Sequence, residues 1–173
     1  MAAARSLTIR RTTEDDWRQV RDLRLEALED TPHAFGETVD AARTLTETEW
    51  RARGARGGNP HGTLVAAIDD ETGDWVGTMG GYLETPTTPM LVGVYVTPTH
   101  RGSMAGVTDA LLDTIEEWAR TEGDSLTLHV HEANPRAIAF YTRRGYESTG
   151  VLVPYVLDPT AQEIEMRKPL AAL

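Results

Sequence analysis

Two stretches of this sequence carry residue types in an order that could do chemistry. The first runs from Val94 to Gly106, VYVTPTHRGSMAG. An apolar strand, Val94-Tyr95-Val96, stops at Pro98 and is followed by a basic, small-residue turn, Arg101-Gly102-Ser103-Met104-Ala105-Gly106. A helix then opens, with apolar residues at Val107, Leu111, Leu112, Ile115 and Trp118. The first N–H groups of a helix have no intrahelical partner, and with the helix dipole they form a site for a phosphate or pyrophosphate. Arg101 adds a full positive charge, and Gly102 and Gly106 let the backbone approach a ligand closely. Taken alone, the stretch also fits an ordinary strand–turn–helix junction that binds nothing.

The second stretch is Asn134-Pro135-Arg136-Ala137-Ile138-Ala139-Phe140-Tyr141-Thr142-Arg143-Arg144-Gly145-Tyr146. It reads as a helix from about Asn134 to Arg144, closed by Gly145 as a C′ glycine. On residue type alone, Phe140 and Tyr141 are packing residues of an amphipathic helix and Asn134 is an N-cap.

The elements that must position these stretches follow from periodicity and punctuation. Leu7 to Arg11 is a short strand. Thr13 with Asp16 opens a helix to about Asp30, with Trp17, Val20, Leu23, Ala27 and Leu28 on one face. Thr31-Pro32 ends it, and His33 to Thr38 is a loop. Thr46 with Glu49 opens a second helix containing Trp50, and the polar, Gly-rich run from Arg53 to Pro60 reads as a surface loop. Thr63–Ile68, Trp75–Glu84 and Met90–Val96 are strands. Leu126, Leu128 and Val130 alternate along another, and Tyr146–Val156 with Ala161–Arg167 form a closing hairpin around Asp158-Pro159. The order β α α β β β α β α β β predicts a single α/β (α+β) domain over residues 1–173. Its mixed, mostly antiparallel twisted sheet would be flanked by helices. The strand–helix–strand crossover from Met90 to Val130 requires a parallel pair. A ligand would bind where those parallel strands end.

Composition narrows the function classes. The 173 residues carry no Cys, so disulfides, thiolate nucleophiles and Cys-ligated zinc are excluded. That fits a reducing, cytoplasmic location. The N-terminus lacks the apolar core of a secretory signal, and no window reaches the run of about 20 apolar residues that spans a bilayer. Net charge is −10. Ten of the 17 basic residues lie before Gly57, against 11 acids; the remainder holds 7 basic and 16 acidic residues. An acidic surface argues against non-specific nucleic-acid binding and favours cationic partners such as amines. His129 and His131 share one strand face, but with no third ligand evident no metal is expected.

The second stretch resembles the N-x-x-A-x-x-F-Y-x-x-x-G-[FY] signature of the GNAT acetyltransferases. The turn Arg101 to Gly106 resembles that family's pyrophosphate loop, R-G-x-G-x-[GA], with Met104 where the middle glycine stands. The two motifs occur in the family's order, and the element order matches from Leu7 to Lys168. The resemblance implies acetyl-CoA as cosubstrate. The backbone of Val94, Tyr95 and Val96 would pair with the pantetheine arm like an added strand. The N–H groups of Arg101, Gly102, Ser103, Met104, Ala105 and Gly106 would hold the pyrophosphate. Asn134 would hydrogen-bond the arm, and Tyr141 would act as general acid at the sulfur. Phe35 and Trp50 would line the acceptor side. No acid lies between Met90 and Val96, where the family often keeps a base, so Glu84 is the base expected, ahead of His129, Glu132 and Tyr95. Homodimers are frequent in the family.

These readings give an N-acetyltransferase acting on a small amine: an amino acid, a polyamine or an aminated antibiotic. With no Cys nucleophile, transfer would be direct. The rivals are a protein Lys or N-terminal acetyltransferase and a module that binds acyl-CoA without turnover. Neither G-x-x-x-x-G-K-[ST] nor G-x-G-x-x-G occurs, which sets aside the P-loop and Rossmann readings.

Overall fold

The computed structural model describes residues 6–102 and 105–172. Seven strands form one sheet in the order β1-β2-β3-β4-β5-β7-β6. They are β1 (Leu7–Arg11), β2 (Gly62–Asp69), β3 (Trp75–Thr85), β4 (Thr88–Val96), β5 (Ser125–His131), β6 (Glu147–Tyr155) and β7 (Asp158–Pro169). Every neighbouring pair is antiparallel except β4 with β5. The expected mixed, mostly antiparallel sheet with one parallel pair is what forms.

Helices cover both faces. On one side lie α1 (Trp17–Asp30), α2 (Val39–Arg43) and α3 (Glu47–Gly54). Their apolar faces, including Trp17, Leu23, Leu28 and Trp50, close over Tyr95 and Trp75. On the other side lie α4 (Val107–Glu122) and α5 (Pro135–Arg143). Leu111, Leu112, Ile115 and Trp118 of α4 and Tyr141 of α5 pack on Val65, Met79, Leu91 and Leu128 of the sheet. The capping boxes read at Thr13/Asp16 and Thr46/Glu49 are both present.

Three local expectations are corrected. The loop from His33 to Thr38 gives way at once to α2, whose N-cap Thr38 accepts from the Ala41 N–H. Five residues hold too few apolar positions to give a periodic signal in the sequence. The run from Arg53 to Pro60 is not a loop: Arg53 and Gly54 finish α3, and Ala55–Gly58 form a 3-10 turn. Gly54 and Gly57 are buried. A Cβ at Gly57 would meet the Thr12 carbonyl at 2.1 Å, so this glycine permits close backbone contact with the end of β1. Lastly, β6 ends at Tyr155 and β7 begins at Asp158, so the hairpin turns at Val156-Leu157, two residues earlier than Asp158-Pro159.

One irregularity positions the site. β3 and β4 keep register as Thr78↔Tyr95 and then as Gly80↔Val92, so Gly93 and Val94 together oppose Met79. This is a β-bulge, with Gly93 at φ +62°, a conformation that favours glycine. Bulges bend and twist the strand that carries them. β4 pairs with β5 only at Met90↔Thr127 and Leu91↔Leu128. From Val92 onward the parallel strands part, while β5 continues along β7 to His131.

Candidate active site

The parting of β4 from β5 opens a cleft through the sheet. Strand alternation tells which backbone groups face it. The Thr97 N–H donates to Val76 O at 2.9 Å, on the β3 side. Tyr95 shares that orientation, and Val94 and Val96 present their N–H and C=O groups the other way, into the cleft. Arg101 Nε donates to the Val96 carbonyl at 2.8 Å. The Val96 N–H and both polar groups of Val94 face no strand. Buried backbone polar groups demand partners, so this edge suits an extended, hydrogen-bonding ligand.

The cleft has two connected compartments. One of about 490 Å³ is lined by Val94, Val96, Gly102, Asn134, Phe140 and Tyr141, among others. A narrower one of about 290 Å³ continues from it past Val92, Gly93, Asn134 and Tyr141 toward His129 and His131. The strand residues, the turn, Asn134 and Tyr141 are therefore brought to one place.

Each of these residues is held by its own local structure. Asn134 caps α5, its Oδ1 accepting from the Ala137 N–H at 3.2 Å. Because the cap takes the oxygen, the Nδ2 donors remain for the cleft. The N-cap and ligand-binding roles are compatible. Tyr141 is buried, edge-on to Phe140 at 5.4 Å and to Tyr146 at 5.7 Å. Burial pushes its phenol well above the usual tyrosine range, so it stays protonated. Gly102 and Gly106 have φ +96° and +67°, in the left-handed region, and Gly106 is the N-cap of α4. The first N–H groups of α4 therefore lack intrahelical partners. Ala105 donates to Gly102 O at 3.2 Å, closing the turn. Ser103 and Met104 lie outside the described residues.

Arg101 is less free than the sequence suggested. Its guanidinium pairs with Asp30 at the end of α1, and it sits over the Tyr95 ring at 5.5 Å. It ties the turn to α1 while lining the larger compartment. Arg136 and Arg143 of α5 line that compartment too and have no ion pair among the described residues. Sequence reading missed both, although their spacing of seven on a helix puts them on one face.

Tyr95 faces the opposite way from its neighbours. Its hydroxyl donates to Glu26 Oε1 at 3.0 Å, and desolvation, with Glu26 and Asp30 nearby, raises its pKa strongly. Glu84 is exposed near the β3–β4 turn and lines none of these compartments. It is not brought together with Tyr141. His131 Nδ1 accepts from the Ala133 N–H at 3.0 Å, so its neutral ring carries the proton on Nε2 and offers the cleft a donor. Among the described residues, no group of three or more His, Asp or Glu side chains is arranged to hold a metal.

A third cavity, of about 470 Å³, lies on the α1 side of β4 and meets the narrow compartment at Val92 and Gly93. Phe35 and Trp50 both line it, with Arg24, Glu37, Arg53 and Trp75. Two substrates could thus approach the bulge from opposite sides of β4.

A splayed parallel pair, a left-handed glycine turn before a helix and a capped tyrosine helix define an acyl-CoA-dependent acyltransferase scaffold. The chain belongs to the GNAT acetyltransferase family, whose model matches residues 17–146. Its acyl donor is acetyl-CoA, and it is an N-acetyltransferase. No curated protein matches it. Solved structures similar to it include a GCN5-related N-acetyltransferase from Kribbella flavida, 21% identical over 95% of this chain and 98% of that one, TM-score 0.74. The PaiA N-acetyltransferase from Thermoplasma acidophilum, in complex with coenzyme A, is 15% identical over 95% and 99%, TM-score 0.74. A phosphinothricin acetyltransferase from Sinorhizobium meliloti, in complex with acetyl-CoA, is 21% identical over 95% and 89%, TM-score 0.74. No helix among the described residues is long and apolar enough to cross a membrane.

Proposed function

We propose that this enzyme acetylates the primary amine of a small molecule by direct attack on acetyl-CoA in a ternary complex. The observation that carries the reading is the unpaired edge of β4 at Val94 and Val96, opposite Asn134 and Tyr141, with a separate cavity across the Gly93 bulge. The donor's arm would add to that edge as a strand, with its pyrophosphate at the start of α4. The amine would arrive from the Phe35 and Trp50 side.

The amine nitrogen forms a bond to the thioester carbon, and negative charge grows on the carbonyl oxygen. A β4 N–H stabilises that charge. The C–S bond then breaks, and Tyr141 gives its hydroxyl proton to the departing thiolate. The buried phenol is protonated at every working pH, which suits a donor. The amine's surplus proton leaves to solvent through the open cleft. This reading gives Glu84 no part, since it lies away from both substrates' compartments.

The test is thiol release from acetyl-CoA over an amine panel, with Tyr141→Phe as the comparison. Turnover is expected to fall about a hundredfold or more, the usual weight of general acid catalysis, with the coenzyme A Kd within about twofold. Unchanged turnover would remove Tyr141 from the mechanism.

A further inference from the structure

The acceptor-side cavity holds more positive charge than its own carboxylate can balance. Arg24 of α1, Arg53 of α3 and Arg56 of the turn after α3 all line it, and Glu37 is the one acid among the lining residues. Glu37 is fully committed. Arg24 Nε donates to its Oε2 at 3.0 Å, and Arg53 donates to Oε2 and Oε1 at 3.0 and 2.6 Å. Arg56 forms no ion pair with any described residue. Three guanidinium groups against one lining carboxylate give the cavity wall an excess of positive charge, which the exposed Glu49, the next acid near Arg53, offsets only from outside the cavity.

Two further features point away from a purely structural cluster. Arg24 lies over the Phe35 ring at 4.5 Å and Arg53 over Trp50 at 4.9 Å, which fixes their planes without using their remaining N–H donors. Arg24 also holds its proton less tightly than usual, because of burial first, with Arg53 and Arg56 repelling it against the pull of Glu37. Like charges kept this close in a partly desolvated cavity are unfavourable until an anion joins them. The planar fork of arginine matches a carboxylate's two oxygens.

We propose that Arg24, Arg53 and Arg56 form a carboxylate-recognition site, so that the acceptor is an amine that also carries a carboxylate rather than a polyamine. The inference rests on the acetyltransferase reading above and names the acceptor class for that same cavity. It also supplies what the cleft lacks. With the acceptor's carboxylate bound, one of the three guanidinium charges stays unbalanced by the lining acid and the ligand, and an ammonium group near it is driven toward its neutral form, the form that attacks. The cluster thereby does part of the work of a general base.

The experiment measures acetyl-CoA-dependent thiol release with the standard L-amino acids, their methyl esters, the corresponding decarboxylated amines and spermidine, on the wild type and on Arg56→Ala. The free acids are expected to exceed their esters in kcat/KM by about tenfold or more, the weight of a charge-assisted contact. Arg56→Ala should collapse that preference and leave the coenzyme A Kd unchanged. Equal or better turnover of esters, amines or spermidine overturns the carboxylate site and leaves the acetyltransferase reading standing. If no acceptor releases thiol, that reading fails instead, and the cluster is judged by tryptophan fluorescence, since Trp50 and Trp75 line the cavity. Saturable quenching by free acids but not by esters, weakened tenfold in Arg56→Ala, supports it. No saturable response in the wild type overturns it.

Discussion

The Tyr155 hydroxyl, at the end of β6, donates to the main-chain carbonyl of Phe35 at 2.6 Å and also reaches Pro32 O at 3.2 Å. Through this contact the C-terminal hairpin pins the loop between α1 and α2, which supplies Phe35 to the wall of the proposed acceptor cavity. The same hairpin presses Val156 so close to Gly36 that a Cβ there would meet it at 2.9 Å. Tyr155→Phe removes only the hydroxyl and leaves two carbonyls without their donor. A lost hydrogen bond of this kind is worth about 1 kcal/mol. The acceptor KM is expected to rise about fivefold, while the coenzyme A Kd, measured by calorimetry, stays put. An equal loss on both substrates would mean the contact serves the whole fold.

The turn before α4 makes a separate prediction on the donor side. Gly106 is left-handed, and an added Cβ would meet no neighbour within 4 Å. Space is thus available, and conformation alone demands glycine. Gly106→Ala should cost about 1–2 kcal/mol of stability, the penalty for an L-residue in that region. If the chain instead flips the residue to negative φ, the α4 N–H groups turn away and coenzyme A affinity falls. Denaturant midpoints and calorimetry on one sample separate the two effects, and a variant matching the wild type in both would remove this turn from phosphate binding.

How much of this was legible in the sequence depended on the kind of signal. Thr46/Glu49, the apolar stripe of α4 and the crossover to β5 are local or periodic, and each was readable. The bulge was not read, although a lone glycine inside an apolar strand, Gly93, is the mark such a bulge leaves. The arginine cluster could not be read at all. Arg24, Arg53 and Arg56 converge only when α1 and α3 pack together, and no spacing encodes that. The overall acidity of −10 suggested cationic partners, while the acceptor cavity is locally positive. Net charge describes the surface; a site has its own field. The glycines from Arg53 to Pro60 read as those of a surface loop, whereas at Gly57 the fold uses one for close contact.

Behind α4 sits a buried ionic cluster. Glu116 accepts from Lys168, the chain's one lysine, at 2.9 and 3.1 Å, and from the Tyr146 hydroxyl at 3.0 Å, with Arg144 at 3.7 Å. It locks α4 to β7 and, through Arg144, borders the larger compartment. Without Glu116 the Lys168 ammonium and the Tyr146 hydroxyl lose their partner, while Arg144 keeps Asp109 and Asp113, so Glu116→Ala should destabilise by about 1–3 kcal/mol. A loss under about 1 kcal/mol in urea would show that water replaces the carboxylate. The Lys168→Met variant, which fills the volume without a charge, should cost more than a surface change because Glu116 then stays buried.

Acid sensitivity should come from the acceptor side and from β1. Hydrogen bonds and charges from Arg53 and Arg24 hold the Glu37 carboxyl below its usual range against the cost of burial. The hydrogen bond from Arg10 does the same for Asp16. Both folded pKa values are depressed. The stability they contribute is therefore complete above the unfolded carboxylate range near pH 4 and is lost as pH falls through the folded values. Midpoints in urea should be flat from pH 7 to about 5 and drop below about 4. Glu37→Gln should start lower and fall less steeply; an unaltered slope would assign the acid loss elsewhere.

The pH profile of turnover separates the acid from the base. Burial pushes the Tyr141 phenol above the ordinary tyrosine range, so the proposed general acid keeps its proton through the neutral and mildly alkaline range. Loss of Tyr141's proton should then set no alkaline limb below about pH 10, the ordinary tyrosine value. The acidic limb of kcat/KM reports the acceptor's ammonium, which must lose a proton to attack. If surplus guanidinium charge favours the neutral amine, the ammonium bound in the cavity titrates below its solution pKa, and the limb in kcat lies lower than the limb in kcat/KM. Exchanging the acceptor for a less basic amine should move the limb down with the amine's own pKa. A limb that ignores the acceptor's pKa would instead point to an ionising side chain of the enzyme, and His129, beside Glu165 at 3.3 Å and lining the narrow compartment, is then the residue to replace first.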